Sequence, residues 1–380
     1  MNILYIASPN SVHDLKWISW FSNNPDNTVY LLSEVQNWKN TNDNLLSFIK
    51  ENKINSCDPI PAFSFLKPFE KKQTIRNLRN FCADKKIDIV HALFATPNAM
   101  WAYHCGVKYI ITTRGSDVMQ VLPEMKAPPF KLGYLKLLFG LYKKVFKNAI
   151  FITSTSLKQK ESVRSLFGRS DSKIIRTGID VQAIADIINR DTLPTALQSI
   201  DYVISPRWIN PLYNTTTQAK AISTLNPEII SRYTFVFFRN FSTTNAYQQE
   251  TEEILKHAKV KYIIFDSLPQ KEMMACIRFA SLCFMIPDRD GTPNSALEAM
   301  AARCPLIVGD FEYDIDLFKN TCVRLIKNTP EMLSEAITNS LQNYPEEMKE
   351  NAYAAVSRCG NRPIEMSKIW RLYMELIAKN

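Results

Sequence analysis

The sequence predicts an α/β protein built of two doubly wound domains. Short apolar runs rich in Val, Ile, Phe and Tyr alternate with longer helical patterns along the whole chain, as in parallel sheets with crossover helices. A length of 380 residues with 46% hydrophobic content suffices for two cores rather than one. No internal repeat, low-complexity tract or apolar run near the ~20 residues needed to span a bilayer interrupts the pattern.

In the first half, strands are expected at Asn2–Ala7, Val29–Leu32, Asp88–Ala92, Tyr109–Thr113 and Ile150–Thr153. In the second they are expected at Tyr202–Ser205, Phe235–Phe238, Tyr262–Phe265, Cys283–Ile286, Pro305–Val308 and Val323–Ile326. Helical stretches at Glu70–Asp84, Asn214–Leu225 and Glu331–Leu341 separate several of them, and the joint between domains falls near Asp191–Ile200. In open α/β sheets ligands meet the carboxyl ends of strands, so residues just past those strands are the site candidates.

Composition removes several function classes. The chain has 9 glycines in 380 residues, far below the usual ~7%. Neither G-x-G-x-x-G nor G-x-x-x-x-G-K-[ST] occurs, which argues against a dinucleotide dehydrogenase or a P-loop NTPase. The eight cysteines form no C-x-x-C pair and sit mostly in apolar runs, as buried thiols do in a reducing cytosol. With four histidines, a dedicated metal centre is not expected, and no cofactor is called for. The apolar start Met1–Ala7 is too short for a signal peptide, so the expected location is cytoplasmic or peripheral to a membrane. Residues 1–195 carry a net charge of +10 and residues 196–380 a net charge of −1. The first half is therefore the part expected to face an anionic partner or surface.

One segment carries most of the chemistry. Asp290-Gly-Thr-Pro-Asn-Ser-Ala-Leu-Glu298-Ala-Met-Ala follows the apolar run Leu282–Pro287. It places one carboxylate in a glycine turn and a second on the following helix. Thr292 is positioned to cap that helix, and Pro293 suits its first turn. A helix N-terminus offers amides and a positive dipole end to an anion such as a diphosphate. Carboxylates accept hydrogen bonds from hydroxyls. The combination reads as a nucleotide-sugar site.

This stretch, with Arg303-Cys-Pro-Leu-Ile-Val-Gly-Asp310 after it, resembles the donor-binding signature of glycosyltransferase family 4 (group 1), retaining enzymes of the GT-B fold. In that family two acids are separated by seven residues, as here. The first is usually Glu, so Asp290 is a shortened variant. The resemblance implies two Rossmann-like domains facing a central cleft: an acceptor-side domain over 1–195 and a nucleotide-sugar domain over 196–361. A C-terminal helix, 362–380, would cross back onto the first. It further implies that Glu298 holds the donor ribose and Asp290 the transferred sugar's hydroxyls. Gly291, Thr292, Pro293, Asn294 and Ser295 would line the sugar or diphosphate.

Other segments agree in part. Arg207, in Ile204-Ser-Pro-Arg207, stands where family members carry a diphosphate-binding Arg, a group suited to bidentate phosphate contacts. The Lys that usually follows is missing from Trp208-Ile-Asn-Pro-Leu-Tyr213-Asn. Ser11, in the loop Ser8–His13, stands where many members have a glycine-rich turn, and could meet phosphate; His13 reads as structural. His91 matches the first of two family histidines and, with Arg114 and Asp117, is a catalytic candidate that would touch substrate or else end its strand in a hydrogen-bonded pocket; Leu93 occupies the second position. Thr112-Thr-Arg114-Gly-Ser-Asp117 matches a motif whose Arg114 and Asp117 would order the cleft or meet acceptor, or else pair with each other. Lys173–Asp180 resembles the strand and turn that close the first domain. Lys126–Lys147 holds six lysines and no acid, with Lys136, Lys143, Lys144 and Lys147 on one helical arc of roughly 100°. Such a face could rest on anionic lipid and reach a lipid-linked acceptor, or could simply be solvated. Alternating basic and aromatic residues could also suggest nucleic acid, but no recognised binding motif supports it, and no nucleic-acid partner is expected.

The expected function is therefore a retaining, metal-independent transfer of a sugar from a nucleotide-diphosphate donor, UDP-sugars among the candidates, to an acceptor hydroxyl. Polysaccharide or lipid-linked glycan synthesis on the inner face of the cytoplasmic membrane is the expected setting. Two rivals remain at this stage: a sugar-nucleotide epimerase, and a catalytically silent subunit, which the missing Lys and Leu93 keep open.

Overall fold

The computed structural model describes residues 1–64, 67–127, 133–239 and 245–378. The chain divides into two compact units, Met1–Thr177 with Glu365–Asn380, and Gly178–Ile364. Among the described residues the first unit holds β1 (Asn2–Ile6), β2 (Thr28–Leu32), β3 (Asn55–Ser56), β4 (Ile89–Leu93), β5 (Tyr109–Thr113), β6 (Phe151–Ser154) and β7 (Lys173–Ile174). They form one parallel sheet in the order β3-β2-β1-β4-β5-β6-β7. The second unit holds β8 (Tyr202–Trp208), β9 (Thr234–Phe238), β10 (Tyr262–Phe265), β11 (Leu282–Met285), β12 (Leu306–Val308) and β13 (Val323–Arg324). Its parallel order is β10-β9-β8-β11-β12-β13. Both orders are doubly wound, with winding reversed at β1/β4 and at β8/β11.

Alternation along each strand explains why both faces of these sheets are covered. In the first unit Leu4, Ile6, Val90 and Ala92 join one core with Trp101, Phe139 and Phe146. Ile3, Tyr5, Ile89 and Leu93 join the other, with Trp17, Phe21, Met366, Ile369, Leu372 and Tyr373. Each fully buried side chain of this size contributes about 1.5–3 kcal/mol. Helix ends follow local chemistry. Ser156 accepts from the Gln159 N–H to start Leu157–Phe167, and Gly168, at φ 71°, ends it. Thr329 and a first-turn proline start Pro330–Gln342. The expected strands all occur, within one to three residues at their ends; β3, two exposed residues long, left no periodic signal to read.

The expected domain joint is corrected. The division runs between Thr177 and Gly178, because Ile179, Val181, Ile184, Ile187 and Leu193 are buried in the core of the second unit. Gly178 has φ +66°, and a Cβ there would lie 2.8 Å from Arg362 Cα and N. Only glycine fits beside the bonds Ile179 N–H to Gly360 O and Arg362 N–H to Ile179 O, each 2.8 Å. No described helix is long and apolar enough to cross a membrane.

The C-terminal helix Arg362–Ile377 is locked to the first sheet by a buried polar chain. Tyr373 Oη lies 2.8 Å from Tyr5 Oη and 2.5 Å from His91 Nδ1. His91 Nε2 lies 2.7 Å from Thr112 Oγ1, which lies 2.6 Å from Thr153 Oγ1. The hydroxyls on either side can each donate or accept, so a neutral imidazole fits the chain with one nitrogen donating and the other accepting. Burial, assisted by the Arg114 charge, holds the His91 pKa down at about 3, against an ordinary 6.5.

Two outcomes are expected. Tyr373→Phe leaves Tyr5 and His91 short of a partner and should cost about 1–3 kcal/mol in urea unfolding; an unchanged midpoint would refute the role of this chain. Below pH 6.5 the unfolded chain protonates His91 before the folded one does, so stability should fall as pH drops from 6.5 toward 3. His91→Gln should flatten that dependence relative to the parent, and equal slopes would show that the histidine is not the cause.

Candidate functional site

In the second unit, the winding reversal at β8/β11 brings together the segments read from the sequence as a site. β8 continues past its regular pairing, with a register shift between Ile204 and Trp208, and so carries Arg207 to its carboxyl end. β11 leads through Asp290 into the helix Asn294–Ala301. Arg207 Nη2 donates to Asp290 Oδ2 at 3.0 Å and to Tyr213 Oη at 2.8 Å. Its Nη1 lies 3.4 Å from Ser295 Oγ, and the guanidinium stacks 4.3 Å from the Tyr213 ring centre. Asp290 Oδ1 accepts from the Gly291 N–H at 2.7 Å. Arg207 Nε is buried without a partner. The guanidinium and carboxylate are thus oriented and still partly open to solvent.

Local structure corrects one detail. Thr292 does not cap the helix: Pro293 takes the cap position without a side-chain bond, and the Thr292 hydroxyl donates to the buried Asp314 Oδ2 at 3.0 Å. Asn294 and Ser295 begin the helix, with Ser295 buried against Met285. The first-turn amides of any helix have no partner within it, so this end can receive an anion. Glu298, one turn on and half-buried, accepts from Gln270 Nε2 at 3.0 Å.

The loop is held by residues the motif search passed over. Asn214 Nδ2 donates to Ile286 O at 2.9 Å and Asp288 Oδ1 at 2.5 Å. Asn328 donates to Pro287 O at 3.2 Å and accepts from the Asp310 N–H at 2.6 Å. Gly309 makes room for this: a Cβ would lie 2.4 Å from Asn328 Oδ1 and 2.6 Å from Ile286 Cα. The signals were faint, an Asn at φ +55° before a helix and a Gly ending a strand. Tyr213 braces Arg207 through its hydroxyl and its ring. Among the described residues no cluster of three His, Cys, Asp or Glu suits a metal ion.

The first unit treats its candidates differently. Ser11 caps the helix Val12–Ser22, accepting from the Asp14 N–H at 3.2 Å, and stays partly exposed. His13 is exposed on that helix's first turn rather than turned inward. His91 is fully buried with both ring nitrogens engaged, which makes it structural and not a residue that meets a ligand. Arg114 does not pair with Asp117. Its Nη2 lies 2.7 Å from the buried Asp14 Oδ1, its Nη1 donates to Thr177 Oγ1 at 2.6 Å, and it covers the Trp17 ring at 4.7 Å. Asp117, fully buried, accepts from the N–H groups of Ala95 (2.7 Å), Gly115 (2.9 Å), Val118 (2.9 Å) and Arg114 (3.2 Å). Burial pushes its carboxyl up, while those amides pull it down. It ties the loop after β4 to the loop after β5. Asp14 was missed because its partner lies a hundred residues away.

On the helix Tyr134–Asn148, Phe139, Tyr142, Val145 and Phe146 are buried, and Lys136, Lys143, Lys144 and Lys147 are exposed. Leu137, 76% exposed, and Tyr134 share the outer surface with the lysines. The preceding part of that basic segment, residues 128–132, lies outside the described residues.

Comparison with known proteins agrees with this geometry. The family model for glycosyl transferases group 1 matches residues 202–355, and that for glycosyl transferase 4-like proteins matches residues 2–156. No curated protein sequence matches. Among solved structures, a glycosyltransferase from Rickettsia africae superposes with a TM-score of 0.78 at 12% identity, covering 100% of this chain and 99% of that one. HepE from Anabaena, solved with UDP, gives 0.73 at 12% identity over 99% and 100%. Sucrose-phosphate synthase from Thermosynechococcus elongatus gives 0.69 at 13% identity over the full length of both. With each half matched by a family model and the whole length matched in fold, the chain belongs to the group 1 glycosyltransferases, two-domain α/β proteins of the GT-B fold.

Proposed function

We propose that this glycosyltransferase takes its sugar from a nucleoside-diphosphate donor and passes it, with retained configuration and without a metal ion, to an acceptor hydroxyl. The observation that carries the reading is the Arg207–Asp290 pair, 3.0 Å apart at the N-terminal end of Asn294–Ala301, with Glu298 one turn along the same helix. In this reading the diphosphate lies against the helix end and Arg207, Glu298 accepts from the ribose hydroxyls, and Asp290 accepts from the sugar. Arg207 then offsets the charge that grows on the leaving phosphate. The acceptor oxygen bonds to the anomeric carbon as the carbon–phosphate oxygen bond breaks. The departing phosphate oxygen takes the acceptor's proton. Tyr213 keeps the guanidinium aimed, although it supplies no charge in place of the missing Lys. Ser11 is proposed for phosphate contact, and Arg114 and Asp117 act by shaping the loops of the acceptor-side unit.

The uridine nucleotide is the first to test, because HepE was solved with UDP and with UDP-glucose. The exposed lysine arc with Leu137 and Tyr134 supports a further proposal: the first unit rests peripherally on an anionic membrane face, where a lipid-linked glycan acceptor would be met. Polysaccharide synthesis is the setting this favours.

UDP should raise the melting temperature by mass action. Glu298→Ala should weaken UDP binding by about tenfold or more, the scale of a lost charge-assisted bond; calorimetry showing equal affinity would remove the donor assignment. Acceptor-dependent release of free nucleoside diphosphate, insensitive to a chelator, separates a transferase from an epimerase or a silent binder. Replacing Lys136, Lys143, Lys144 and Lys147 together by Gln should abolish salt-sensitive binding to phosphatidylserine vesicles. Binding that survives the change would end the membrane proposal.

A further inference from the structure

A second feature of the first unit lies away from the loops just described. The helix Val12–Ser22 ends in Trp20 and Phe21, and the turn that follows carries Asn24 and Asn27 into β2. These residues precede a strand, so they sit at the amino end of the sheet, opposite the carboxyl ends where Ser11 and the Asp117 loop lie. The C-terminal helix adds Ser367 and Trp370. Together the six line a cavity of about 250 Å³.

Its chemistry is selective. Trp20 is 41% exposed, a large apolar surface to leave in water. Phe21 and Trp370 stack with rings inclined by 20° and centroids 6.5 Å apart, which fixes the Trp370 ring. Asn27 Nδ2 donates to Phe21 O at 3.0 Å, and its Oδ1 is left enclosed without a partner. Asn24 Oδ1 accepts from the Asp26 N–H at 3.0 Å, which leaves Nδ2 to donate. No charged side chain lines the cavity, so a phosphate or nucleotide would meet no cation. The volume falls below the ~300–1,000 Å³ typical of sites for drug-sized ligands.

We propose that this cavity is a second carbohydrate-binding site, for one neutral pyranose ring of a glycan. A pyranose has an apolar C–H face that matches an indole and a rim of hydroxyls that match amide groups. The site rests on the proposed function only for its purpose, which is to hold a sugar of the acceptor or product chain. Its binding chemistry is independent of the donor.

The test uses the full chain, saturation-transfer NMR and tryptophan fluorescence, with the methyl glycosides of glucose, galactose, mannose and N-acetylglucosamine and with maltoheptaose as probes. At least one probe should bind saturably, and equally well with or without UDP. Trp20→Ala and Asn24→Ala should each weaken that binding, the first by about tenfold or more, while the UDP-induced rise in melting temperature is unchanged. No saturable binding, binding displaced by UDP, or binding retained in both variants would overturn the proposal. A chain that binds sugar but not UDP would instead refute the donor reading and leave this site standing.

Discussion

A parallel sheet wound outward in both directions from a central strand has to leave a crevice where the winding reverses. Helices that follow the strands on either side of that point turn to opposite faces, and nothing covers the carboxyl ends between them. Each unit of this protein has one such point, at β1/β4 and at β8/β11. The meeting of Arg207 with Asp290 follows from it. Arg207 ends one of the two strands at the second reversal, and Asp290 follows the other. Their ion pair forms across a sequence separation of 83 because topology makes those two ends neighbours.

The two reversals are used in different ways. In the second unit the polar groups stay partly open; two asparagines fix the loop by bonding its carbonyls, and one glycine makes room for the second of them. A loop fixed through its backbone can keep its carboxylate available to a ligand. In the first unit the corresponding polar groups are consumed internally. Arg114 is covered by Asp14, Thr177 and Trp17, and Asp117 is saturated by amides. Buried charges without partners would be costly, and the Asp14 carboxylate beside Arg114 and the amides around Asp117 are what make these two tolerable. The first unit therefore uses its charged motif for rigidity, and the second leaves its own partly open to solvent.

The buried chain from Tyr5 through Tyr373 and His91 to Thr153 shows the same economy. It joins the last helix to the first, fourth, fifth and sixth strands. A histidine kept neutral by burial can act as a link of this kind, since one nitrogen donates and the other accepts. The helix that provides Tyr373 also provides Trp370 to the aromatic cavity.

The sequence by itself determined the α/β class, nearly every strand, the pairing of Asp290 with Glu298 on one loop and helix, and the basic bias of the first half. These are local properties: alternation, turn chemistry and spacing are written within a dozen residues of each other. The bonds of Thr292, Arg114 and His91 were not legible, since their partners Asp314, Asp14 and Tyr373 lie 22, 100 and 282 residues away. Nor was the unit boundary at Gly178, which depends on how closely the backbone of Arg362 approaches it. Whether a polar residue serves structure or a site depends on what the fold brings beside it, and only the tertiary structure decides that.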